Sequence, residues 1–191
     1  MKPLSRSTSL CIAAALAVLM LATRFKHFGD ALHLPDASMA AFFLGGLYLR
    51  RHLAFAGCLA LAVLVDWVSV RHAGVSDFCI TPAYALLPLA YAALWYAGRL
   101  YAGRLDGSAA ALAGAFGVAL GAAALSFAIS NGAFYWLGGR YAQPHLAEYL
   151  ARLWQWGPLF VRTTLGYVAA ALLLHGALAR WLPPVAARRA A

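Results

Sequence analysis

The feature that most constrains this chain is its succession of long apolar runs broken only by short polar turns. Apolar stretches fall at about 9–22, 37–49, 53–70, 81–97, 108–129 and 158–181. Runs of this kind are too apolar and too closely spaced for a water-exposed fold, because a helix that is apolar all round needs lipid or protein on every side. Of the 191 residues, 64% are hydrophobic and 11% charged, against about 25% charged in an ordinary soluble domain. The chain therefore reads as an all-α integral membrane protein, a single domain over 1–191 with six transmembrane helices and no room for a separate soluble unit.

The first run, Ser9 to Ala22 after Lys2 and Arg6, has the length of a signal-peptide core, but Thr23-Arg24-Phe25-Lys26 offers no small-residue cleavage site. It reads as a retained first helix. Ala13 and Ala17 lie one turn apart on it, a spacing that lets another helix approach closely, as ordinary alanine-rich packing also does. The second run is short for a span and needs support from its neighbours. The polar segment between them, with His27, Asp30, His33 and Asp36, lacks the spacing of a metal site and reads as a solvated loop. Segment 131–157 reads as the longest connection, an aromatic-rich cover with a surface helix at Leu146–Trp154.

The net charge of +9 forms no patch, which argues against nucleic acid. Counted by side, nine basic residues fall with the termini and six on the opposite face, placing both termini in the cytoplasm. No CxxC, HExxH, P-loop or GxGxxG occurs. Cys11 and Cys58 lie inside apolar runs as packing residues. Asp66 is a carboxylate within a membrane segment, a group that faces a cavity or partner, or reaches the interface from a helix end.

The stretch Asp77-Phe78-Cys79-Ile80-Thr81-Pro82-Ala83-Tyr84 joins the third and fourth runs. Pro82 suits the first turn of a helix, which sets Cys79 at a helix mouth. A lone cysteine there is usually a small hydrophobe, yet a thiolate is also a soft ligand suited to a late first-row metal. Asp66, Asp77, Cys79, Tyr84 and the aromatic segment converge on the outer side, as a solute-capturing pocket would require. Phe42, Phe43, Phe78, Tyr84, Trp154 and Trp156 could supply flat apolar faces. Asp66, Asn131, Arg152 and Gln155 could supply polar anchors.

Six spans in about 190 residues, the Ala-x-x-x-Ala face at 13–17 and Asp-Phe-Cys-x-Thr-Pro-Ala-Tyr at 77–84 resemble the BtuM family, cobalamin-transporting relatives of the S-components of energy-coupling factor transporters. The resemblance implies an S-component-like bundle in a bacterial inner membrane that takes up vitamin B12, with Cys79 as axial ligand of its cobalt. It implies ligand-binding roles for Cys79, Asp66, Tyr84 and Arg152, to which Phe42 and Phe78 are added as candidate ligand-binding faces, and partner docking at Ala13 and Ala17. It also implies slow removal of cyanide from cyanocobalamin by Cys79, and transport with or without an energising module. Cobalamin is then the transported ligand and no other cofactor is implied. Two rivals remain: an S-component-like carrier of another vitamin, and a membrane haem or thiol redox enzyme. The redox reading fits less well, since only His175 lies deep in a span and Cys58 lies toward the far end of its helix from Cys79.

Overall fold

The computed structural model describes residues 4–25, 34–78 and 80–181, and among them all regular structure is helical, with no strand. The helices are α1 (Arg6–Thr23), α2 (Ser38–Tyr48), α3 (His52–His72), α4 (Leu87–Tyr101), α5 (Ala109–Leu137) and α6 (Leu146–Trp181). A 3-10 turn, Pro82–Leu86, leads into α4, with Pro82 in its first turn as expected. Serines start two of the helices. The Ser5 hydroxyl accepts the Thr8 N–H at the head of α1, and the Ser108 hydroxyl accepts the Ala111 N–H at the head of α5.

Four of these helices, α1, α3, α5 and α6, are long and apolar enough to cross a membrane. Their outer faces carry large apolar side chains such as Leu10, Val18, Leu53, Val63, Leu64, Leu173 and Leu174. Helix α2 has only 11 residues, nine of them buried. It is the axis of the bundle, and its most extensive partner is α4. Glycine makes that contact possible. A β-carbon on Gly46 would overlap the backbone carbonyl of Trp95, and one on Gly98 would overlap the carbonyl of Phe43. The two backbones touch because neither position has a side chain, and Trp95, fully buried, fills the space beside Gly45.

The small-residue face expected on α1 is different. Ala13 and Ala17 are half-buried and lie outside the core, which α1 enters through Leu16, Met20 and Thr23. Cys58 packs against the core as expected, but Cys11 is exposed on α1 and is not a packing residue.

Two boundaries differ from the sequence expectation. α5 continues to Leu137 rather than stopping near Ile129, so Asn131, Tyr135 and Trp136 are helical. Nothing between Ile129 and Leu137 forces a break; Gly138 and Gly139 end the helix, the latter at φ 68°. α6 begins at Leu146 and runs for 36 residues with Pro158 inside it, so the surface helix and the final span are one element. The missing N–H of Pro158 costs a single hydrogen bond, which a long helix held on both sides of the gap tolerates. Residues 138–145 alone form the connection. The anchoring of α6 before the proline comes from Tyr149, whose hydroxyl donates to the Ala128 carbonyl of α5 at 2.9 Å.

Candidate functional site

Helix direction decides what can meet. The C-terminal ends of α1, α3 and α5 and the N-terminal ends of α2, α4 and α6 lie together. Between them opens a cavity of about 540 Å³, lined by residues 24, 35–39, 66–70, 75–91, 126–134 and 152–164 in part. This volume lies in the range of small-molecule sites, roughly 300–1,000 Å³.

One side of the cavity is a buried charge network. Arg24, the cap residue of α1, is 3% exposed. Its Nε donates to Asp66 Oδ1 at 2.7 Å and its Nη2 to Asp66 Oδ2 at 2.8 Å, the two-pronged geometry a planar guanidinium favours. Nη1 donates to the hydroxyls of Ser38 and Tyr91, each at 2.8 Å, and lies 3.5 Å from Asp36 Oδ2. The Tyr84 hydroxyl donates to Asp66 Oδ2 at 2.6 Å. One arginine thus ties α1 to α3, to the head of α2 and to α4.

The neighbouring backbone is fixed as tightly. Asp36 Oδ1 accepts the N–H and hydroxyl of Ser38, Thr23 accepts the Ala37 N–H at 3.0 Å, and Tyr167 of α6 donates to the Pro35 carbonyl at 2.7 Å. Segment 34–37 is therefore built into the protein, which corrects the expectation of a solvated loop at Asp36. His27, Asp30 and His33 lie outside the described residues. Among the described residues no group of His, Cys, Asp and Glu has the arrangement of a metal site.

The opposite wall is aromatic. Phe78, half-exposed, packs on Phe134 of α5 with ring centroids 5.5 Å apart, and the Arg140 guanidinium lies 5.0 Å over the Phe78 ring. Arg152 of α6 lies 4.9 Å over Tyr141. Beneath it, Tyr135 receives the His145 N–H at 2.9 Å and donates to Glu148 at 2.8 Å, closing the α5–α6 connection. Thr81 Oγ1, Asn131 Oδ1 and Arg152 Nε are buried atoms without a hydrogen-bond partner among the described residues, and all three residues line the cavity. A buried polar atom left unpaired is destabilising by about 1–3 kcal/mol, so small side-chain shifts onto a polar ligand would be favoured.

Of the residues singled out in the sequence, Asp66, Tyr84, Arg152 and Phe78 line this cavity, as do Asn131 and Trp156. Phe42 does not. It is fully buried below the cavity, stacked on Tyr91 with centroids 4.0 Å apart and planes 7° from parallel, so it supports the wall instead of forming it. Phe43 is likewise in the core, and Trp154 points away from the bundle, 83% exposed. Cys79 lies outside the described residues; its chain neighbours Phe78 and Ile80 both line the cavity. Sequence reasoning missed Arg24, Asp36 and Tyr91. The signal available was the pairing demand of Asp66, which calls for a cation on a neighbouring helix at the same depth.

No protein-family model matches the chain, and no curated protein matches it.

Proposed function

We propose that this protein is a six-span carrier of the bacterial inner membrane that captures cobalamin in the cavity between α3, α4, α5 and α6. The two shorter helices, α2 and α4, would complete an S-component-like bundle, α2 shielded from lipid by its neighbours and α4 extended by its 3-10 turn. The observation that carries the reading is the cavity itself. It opens at one end of a bundle of apolar helices and combines aromatic faces with a few polar groups. A flat corrin rimmed with amides calls for that mixture, and its bulk beyond the ring would project outward.

The sequence supplies the ligand's anchor. Cys79 stands between two cavity-lining residues, and its thiolate is a soft donor for cobalt. Donation from sulfur weakens the bond to cyanide on the opposite axial position, so slow cyanide release belongs to the same proposal. Both termini would be cytoplasmic and the cavity would face outward. The resemblance at Ala13 and Ala17 leaves open an energising module as partner or none.

The test is an absorption spectrum of protein purified with and without cobalamin. A retained corrin with a shifted visible band supports the proposal. A protein that emerges colourless at saturating cobalamin, yet is stabilised by another vitamin, would instead be a carrier of that second solute.

A further inference from the structure

At the end of the bundle away from the cavity, α2 turns into α3 through Arg50-Arg51-His52, and α4 ends beside that turn. Arg50 is the one non-glycine residue with positive φ among the described residues, at 59°. The corner holds this conformation without the residue that usually relieves it. Its Nη2 is buried with no acceptor among the described residues. Arg99 of α4 reaches the same corner, its Nη1 lying 2.7 Å from His52 Nε2. An arginine can only donate, so Nε2 accepts and the His52 proton sits on Nδ1, 3.0 Å from the Tyr96 hydroxyl. His52, the residue after Arg51, thus holds the Arg99 guanidinium at this corner.

Arg50 and Arg51 belong to the turn and Arg99 reaches it through His52, and among the described residues no carboxylate forms an ion pair with any of the three; the ion pairs there join Arg24 to Asp36 and Asp66, and His145 to Glu148. A cation with a buried, unpaired nitrogen calls for an anion. The surroundings indicate its kind. Leu53, next to His52, is 84% exposed, and Leu100, next to Arg99, is 79% exposed. Apolar side chains flanking a basic corner fit a molecule with a charged head and an apolar tail.

We propose that this corner binds the headgroup phosphate of an anionic phospholipid, with Arg50, Arg51 and Arg99 on the phosphate and Leu53 and Leu100 along the acyl chains. The proposal rests on the transmembrane reading and is independent of what the cavity carries. A free phosphate would satisfy the arginines but leave the leucines without a role.

Native mass spectrometry of protein from mixed micelles with equal phosphatidylglycerol and phosphatidylcholine provides the test. Wild type is expected to retain phosphatidylglycerol preferentially. Arg50→Gly accommodates the left-handed backbone, and Arg99→Gln leaves it untouched; each is expected to reduce retention about fivefold. Arg162→Gln, an exposed charge elsewhere on α6, is expected to leave retention unchanged. Equal retention of the two lipids, unchanged retention in both corner variants, or equal loss in Arg162→Gln would overturn the proposal. Displacement of the lipid by excess inorganic phosphate would overturn it in favour of a free anion. Cobalamin binding measured on the same samples reports separately on the cavity.

Discussion

Arg24 and Asp66, 42 residues apart in the chain, meet through two parallel hydrogen bonds of 2.7 and 2.8 Å at the side of the cavity. Removing one partner leaves the other in a low-dielectric site with its charge unbalanced, while Asp36 offsets part of the Arg24 charge. Arg24→Gln and Asp66→Asn are each expected to destabilise the protein by about 3–5 kcal/mol. The double variant should be destabilised by less than the sum, with a coupling of about 1–3 kcal/mol. Thermal unfolding in detergent of the four proteins closes the cycle, and additive losses would show that the pair contributes nothing as a pair.

The contact of α2 with α4 gives a second expectation. Gly98→Ala and Gly46→Ala each force a methyl group against backbone, which cannot move as a side-chain tip can. Each should lower stability by about 1–3 kcal/mol. Gly117→Ala on α5 meets nothing within 4 Å and should be neutral or stabilising by up to about 1 kcal/mol through helix propensity. The reverse order of melting temperatures would contradict the close approach of the two backbones.

Asp66 was legible in the sequence because a carboxylate inside an apolar run must find a partner. Arg24 was not, since an arginine directly after an apolar run looks the same whether it anchors at the interface or folds back into the bundle. Phe42 and Phe78 illustrate a second limit. Hydrophobicity places both in an apolar environment, but only tertiary packing separates a core ring from a cavity wall. Pro158 misled because proline marks a helix start more often than it interrupts a helix already running. The convergence of Asp66, Tyr84, Phe78 and Arg152 was readable from helix count and direction, which put the ends of alternate helices on one side.

The thiol chemistry gives a third prediction. Cys79→Ser preserves the side chain's shape, but a serine hydroxyl stays protonated at neutral pH and cannot replace thiolate. The bound corrin of Cys79→Ser should lose the shifted absorption band and the release of cyanide from cyanocobalamin. Cys11→Ser and Cys58→Ser should retain both. Identical spectra for wild type and Cys79→Ser would remove cobalt ligation from the proposed function.

A fourth prediction concerns α1. Ala13 and Ala17 are half-buried, and a leucine at each would thicken that face without entering the core. If a partner docks there, Ala13→Leu with Ala17→Leu should impair cobalamin uptake by cells while purified protein binds cobalamin as wild type does. Unimpaired uptake would assign the face to ordinary lipid contact.

The brevity of α2 has a consequence for the path of a solute. Eleven residues of helix span about 16 Å, roughly half of a 30 Å hydrocarbon layer. On the transmembrane reading, a molecule at the head of α2 has already passed half the depth of the bilayer before any helix moves. Beyond it, on that reading, would lie the rest of this short helix, held against α4 where Gly46 and Gly98 let the backbones touch. On the proposed function, release toward that side would have to disturb the α2–α4 contact at Gly46 and Gly98, where neither backbone leaves room for a side chain.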